Sequence, residues 1–342
     1  MNTDWHIFKG RNSEEPEQSY EPRPAAIDDL PAPPRWRDFG KQNTSDLKQQ
    51  ITRKQRRGAT FYPSDQETEM VNAALYLRRP LLVTGKPGTG KTSLAYAVAY
   101  ELDLGEVLYW PITTRTTLKS GLYDYDAIGR LQDFQLSKEQ GIPKEEILGR
   151  IGKYIRLGAL GTAFLESDKP RVLLIDEIDK SDIDLPNDLL HIFEEGEFSI
   201  PELERIADEQ PTAEVQTAYR DEQEPTYQKT VTIEGGRVRC KQFPFVILTS
   251  NAEREFPPAF LRRCLRLDIQ QPDPDRLRQI VATQLDAKLA EEAKGLIEEF
   301  YKKRESGSGD RATDQLLNAV YLITQEKAPD GLIDKLFRPL DK

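Results

Sequence analysis

Cysteine and histidine are scarce in this chain, with two of each among 342 residues. Cys240 and Cys264 form no CxxC pair and join no Cys/His cluster, which excludes a disulfide framework and a zinc site and leaves free, buried thiols in a reducing compartment as the expectation. His6 lies near the start, and His191 is expected on a helix as a packing or surface residue. Long apolar runs are also missing: none approaches the roughly 18 residues of a membrane span. The opening Met-Asn-Thr-Asp-Trp-His shows no basic segment ahead of an apolar core, so a soluble cytoplasmic protein with no membrane partner is expected. Positive charge is in deficit, 48 Lys and Arg against 58 Asp and Glu for a net −10. That balance argues against a generally basic nucleic-acid binder while leaving room for a local patch. No self-similarity of 20 to 50 residues is apparent, which disfavours a solenoid.

The length suits about two domains at roughly 150 residues each. With 37% hydrophobic and 31% charged residues, part of the chain should be solvated tail or insertion. Residues 1–45 fit a disordered tail, holding Pro16, Pro22, Pro24, Pro31, Pro33 and Pro34 among polar and acidic residues. Lys48, Arg53, Lys54, Arg56 and Arg57 then form a basic cluster, which suits a solvated helical face better than a nucleic-acid contact.

Beyond the cluster, short apolar runs recur at Leu81–Val83, Val107–Trp110, Val172–Ile175, Phe245–Leu248 and Leu265–Leu267, separated by helical patterns at Ser93–Leu102 and Ile183–Glu194. Such alternation predicts a parallel sheet wound with helices. Two stretches interrupt it, one near 121–149 and an acidic one near 201–241 in which Gly235-Gly236 signals a two-residue hairpin turn. For Glu202–Glu224 two expectations stand: extra structure serving a partner, or a mobile loop. After Gln271 the patterns become helical, at about 274–290, 291–304 and 313–326, with Asp273-Pro274 as cap and first-turn residue. The expected domains are therefore an α/β domain over 46–271 and a small helical domain over 272–342.

Gly85-Lys86-Pro87-Gly88-Thr89-Gly90-Lys91-Thr92-Ser93 follows an apolar run and opens a helix, which meets the phosphate-loop pattern in its required setting. Glycine amides can converge on phosphate oxygens, and the helix N-terminus adds a positive field. Gly85, Pro87, Gly88, Thr89, Gly90, Lys91, Thr92 and Ser93 are thus candidate nucleotide-binding residues, with Lys91 neutralising the β and γ phosphates and Thr92 ligating Mg²⁺. The run ending in Asp176-Glu177 supplies a second metal ligand, Asp176, and a carboxylate, Glu177, suited to polarising the attacking water. Asn251 ends another buried run, where a strand's carboxyl end faces the ligand crevice. Arg262 and Arg263 precede the next run as cationic donors for transition-state charge.

Taken together, Gly85–Thr92, Leu173–Asp179, Leu190–Leu203 with its Phe-Glu-Glu-Gly-Glu-Phe run, and Thr249–Cys264 resemble the MoxR-like branch of the AAA+ ATPases over about residues 60–330. The resemblance implies a P-loop NTPase core of AAA+ type with a helical lid, ATP and Mg²⁺ as cofactors, and a homo-oligomeric, hexameric ring. It casts Asn251 as sensor 1, Arg263 as an arginine finger acting on the neighbouring protomer with Arg262 beside it, and Arg311 as the sensor-2 candidate, although the residues around Arg311 match poorly. It also implies remodelling of a protein partner, with a von Willebrand factor A domain as the expected type. The alternatives are a nucleic-acid or restriction-type NTPase motor and a slow nucleotide-dependent binding switch.

Overall fold

The computed structural model describes residues 31, 33–34, 53–220, 228–306, 310–324 and 331–339. The expected tail, apart from positions 31, 33 and 34, lies outside the described residues, as do Lys48 and 221–227. The described chain divides into two compact units, one built from 54–86 and 90–270 and the other from 271 onward together with loop residues 87–89.

Eleven strands are described: β1 (Leu81–Thr84), β2 (Leu108–Pro111), β3 (Tyr123–Tyr125), β4 (Ile155–Leu157), β5 (Val172–Asp176), β6 (Glu197–Ser199), β7 (Thr212–Arg220), β8 (Gln228–Glu234), β9 (Arg237–Arg239), β10 (Phe245–Ser250) and β11 (Leu265–Asp268). The five apolar runs all become strands of one sheet, in the order β11-β1-β10-β5-β2, and every pairing in it is parallel. Their unbroken apolar character follows from burial on both faces. Leu81, Val83, Val172, Leu174, Phe245 and Ile247 pack into one core. Leu82, Leu173, Ile175, Val246 and Leu248, each one position on, pack into another. The fold is thus an α/β core, a parallel sheet covered on both faces, followed by C-terminal helices.

Local signals set the flanking helices. Ser64 and Glu67 form a reciprocal capping box at the start of helix Asp65–Leu77, and Gly196 takes a left-handed conformation to end helix Leu185–Glu195. His191 lies exposed on that helix. Helix Arg53–Ala59 carries the rest of the basic cluster; there Lys54 pairs with Glu106, and Arg57 donates to Ser93 Oγ at 2.9 Å while stacking over Tyr96. Of the two free cysteines, Cys264 is buried and Cys240 only half-buried. Burial pushes the Cys264 thiol up to about 12.

The two interrupting stretches hold more order than a loop. Strands from them join a second sheet, β3-β4-β7-β8-β9-β6. Gly235 and Gly236, at φ 54° and 68°, turn β8 into antiparallel β9, the hairpin the sequence signals. Ala213, Val215, Ile233 and Val238 from the acidic stretch are buried in the same apolar core as Leu173 and Val246, so for its described residues the mobile-loop expectation is corrected: alternation along β7 gives one apolar face a core to cover. Two glycines permit this closeness. A Cβ on Gly152 would collide with the Glu214 carbonyl, and one on Gly161 with that of Leu122.

The C-terminal unit is helical over Pro274–Gln284, Ala287–Glu292, Lys294–Glu305, Thr313–Thr324 and Leu332–Leu336. One expected helix is split in two after Gln284, where Asp286 leaves helical geometry and caps the next helix through the Lys288 N–H. Leu277, Val281, Ile297, Phe300, Leu316 and Phe337 form its core.

Candidate functional site

The carboxyl end of the parallel sheet gathers the candidate residues. β1 runs into the glycine loop, whose Gly85, Gly88 and Gly90 sit at φ 145°, 78° and 96°; these dihedrals admit glycine readily and turn the chain into helix Lys91–Glu101. Lys91, at the first turn of that helix, is 8% exposed. Its ammonium donates to the Gly85 carbonyl at 2.6 Å, the Lys86 carbonyl at 2.9 Å and Asn251 Oδ1 at 2.8 Å. All three acceptors are neutral, and burial lowers the Lys91 pKa against the opposing pull of Asp179, Asp176, Glu177 and Asp268. A buried cation with neutral bonding partners is a ready receptor for anionic oxygens.

Asp176 ends β5 under three hydroxyls. Its Oδ1 accepts from Thr92 Oγ1 at 3.1 Å and Thr249 Oγ1 at 2.6 Å, and its Oδ2 from the Tyr109 hydroxyl at 3.1 Å. Burial first, and then the Asp176 charge, push the Tyr109 hydroxyl up to about 12. Thr92 and Asp176 offer hard oxygens side by side, which fits Mg²⁺, an ion held by one or two protein oxygens and completed by phosphate and water. Among the described residues no group of three or more His, Cys, Asp or Glu converges as a self-contained metal cage.

Glu177 takes a left-handed backbone, φ 62° and ψ 48°, and its half-exposed carboxylate accepts from Lys180 Nζ at 2.9 Å. That hydrogen bond is the main cause of the raised Lys180 pKa. Asp179, 6% exposed, joins β5 to the end of β10: its Oδ2 accepts from the N–H groups of Asn251 at 2.8 Å and Glu253 at 3.2 Å, while its Oδ1 is buried without a hydrogen-bond partner.

Lys91, Thr92, Asp176, Glu177 and Asn251 are thus brought together. Arg262 and Arg263 are not. They end helix Pro258–Arg263 beside the amino end of β11, where Leu265 is level with Leu81, whereas the glycine loop leaves the other end of β1. Arg263 pairs there with Glu194 in a cleft of about 470 Å³ that Arg78, Arg79, Pro80 and Phe193 complete. Arg79 donates to the Arg263 carbonyl at 3.0 Å and to that of Arg262.

Arg311 belongs to the helical unit and is 7% exposed. Its guanidinium donates to the Phe337 carbonyl at 2.8 Å and the Lys303 carbonyl at 2.7 Å. Arg311→Met is expected to destabilise this unit by about 2 kcal/mol, since buried carbonyls lose charged donors. Calorimetry of the full chain checks it, and an unchanged midpoint would remove Arg311 as an anchor.

Sequence reasoning assigned no role to Tyr109, Asp179 or Thr249. For Thr249 a signal existed: it lies two residues before Asn251, and period-2 alternation places both on one side of the strand end.

Residues 80–264 match the family model described as AAA domain (dynein-related subfamily). Among solved structures, that of C. elegans PCH-2 aligns at 14% identity with a TM-score of 0.36, over 81% of this chain and 67% of that one. The comparison with curated proteins gave no match. Among the described residues no helix is long and apolar enough to cross a membrane.

Proposed function

Because this chain belongs to the AAA domain family, in its dynein-related subfamily, we propose that it is a Mg²⁺-dependent ATPase of MoxR-like type, which assembles as a hexameric ring and couples hydrolysis to remodelling of a protein partner. The observation that carries the proposal is the Thr92–Asp176 contact of 3.1 Å, flanked in sequence by the Glu177 carboxylate on one side and the buried Lys91 ammonium on the other. Thr92 and Asp176 would hold Mg²⁺, which supplies charge neutralisation on phosphate oxygens. Lys91 binds the β and γ phosphates, exchanging neutral acceptors for anionic ones. Glu177 takes the proton of the attacking water on its carboxylate, and Asn251 orients the terminal phosphate. The ring and a partner bearing a von Willebrand factor A domain follow from the family resemblance, and a cytoplasmic location suits the free thiols.

Phosphate release from Mg·ATP by the full chain tests the activity, with loss in chelator as the control. Lys91→Ala is expected to weaken ATP binding by about 10²-fold, because the phosphate charges lose their only buried cation at this loop. Titration with a fluorescent ATP analogue measures it, and undiminished affinity would overturn the phosphate-site assignment. The nucleic-acid alternative draws less support, since Lys54 and Arg57 of the basic cluster are engaged within the chain. Salt-sensitive stimulation of turnover by DNA would revive it.

A further inference from the structure

We propose that Thr249 is the positioning residue of the hydrolytic centre, its one hydroxyl fixing both the metal-site carboxylate of Asp176 and the backbone that aims Glu177. The proposal rests on the ATPase assignment of this site. Thr249 is 1% exposed in β10. Its Oγ1 donates its single proton to Asp176 Oδ1 at 2.6 Å and accepts the N–H of Glu177 at 2.9 Å. A hydroxyl can donate once and accept as well, so one atom serves both neighbours.

The position explains the need. The β5–β10 ladder ends at Ile175 opposite Leu248, and Glu177 then turns left-handed. There the strand can no longer offer the Glu177 amide a ladder carbonyl, and Thr249 replaces it with a side-chain oxygen. A left-handed backbone at a β-carbon-bearing residue is held only when its surroundings over-determine it. The same bond leaves Asp176 Oδ2 facing Tyr109 and Oδ1 shared with Thr92, which sets the carboxylate's rotation about its own bond. Valine at 249 keeps the shape and deletes both bonds. It leaves the glycine loop and Lys91 untouched, so metal-free nucleotide binding and the metal-dependent steps should separate.

The experiment compares the full chain with Thr249→Val and Thr249→Ser in three measurements: ATP affinity in chelator, the free Mg²⁺ that half-saturates the metal-dependent gain in thermal midpoint with ATP present, and kcat with KM. Thr249→Val is expected to hold chelator affinity within about twofold, raise the Mg²⁺ half-saturation about tenfold and lower kcat at least about tenfold with little change in KM, the range for losing an outer-sphere partner of a metal ligand. Thr249→Ser should restore each value to within about threefold, because it keeps the hydroxyl. Should Thr249→Val fail to fold, Thr249→Ala carries the same expectations. Unchanged Mg²⁺ dependence and kcat in the valine variant would overturn the proposal. So would a serine variant as impaired as valine, which would assign the effect to the methyl group, or an equal loss of ATP affinity in chelator, which would mark a general disruption. If the unaltered chain binds Mg·ATP but does not hydrolyse it, the ATPase assignment fails, while the Mg²⁺ half-saturation still decides the role of Thr249.

Discussion

Arg263→Ala is expected to lower steady-state turnover by about 10³-fold, the scale of a transition-state arginine, while leaving ATP affinity nearly unchanged. The split follows from position. β1 and β11 run parallel with Leu81 level with Leu265 and Thr84 level with Asp268; Arg263 precedes one end of the pair and the glycine loop follows the other. Four strand residues at about 3.3 Å each separate the two ends by about 13 Å, so in the ring proposed above the guanidinium would serve a nucleotide held by a neighbouring protomer. The substitution should not unfold the chain, because the Arg263–Glu194 pair is partly exposed on both sides and such pairs contribute at most about 1 kcal/mol. Mixing the variant with an excess of Lys91→Ala is decisive: those subunits bind ATP poorly yet still carry Arg263. Recovered phosphate release in mixed rings confirms action between protomers. No recovery, with mixed assembly verified by native mass spectrometry, rules it out.

Glu177→Gln should retain Mg·ATP and hydrolyse it about 10²-fold more slowly, since an amide cannot take the proton that a general base removes from water. Asp176 keeps its carboxylate, so the proposed metal site should persist. The backbone cost of the left-handed conformation is the same for glutamine as for glutamate, and the lost ion pair with Lys180 is half-exposed; stability should therefore hold. Bound nucleotide and single-turnover phosphate release, measured on the same sample, separate retention from chemistry. An unaltered rate would take Glu177 out of the reaction.

The parallel sheet and the glycine loop were legible in the sequence because burial on both faces writes itself as continuous apolar runs, and because a phosphate cradle demands glycine at fixed offsets. Asp176 and Asn251 were legible as polar stops on such runs. Of the second sheet only the Gly235-Gly236 turn between β8 and β9 was. β3, β4, β6 and β9 have three residues each, too few for alternation to stand out, and β7 sits in acidic surroundings that hide its apolar face. Asp179 and Thr249 escaped for another reason. They act through hydrogen bonds to backbone amides brought close only by strand pairing, and an Asp or Thr bears no local mark of such a partner.

The shared core of the two sheets has a mechanical consequence. Ile155, Val215 and Ile233 of the second sheet belong to the same continuous cluster as Leu173 and Ile175 of β5, the strand that ends in Asp176. Close-packed interiors compress little, and at Gly152 and Gly161 backbone abuts backbone without an intervening side chain. The second sheet is therefore packed against the strand that ends in Asp176 as one continuous solid. A displacement of the buried face of β7 or β8 would meet β5 with little slack to absorb it on the way.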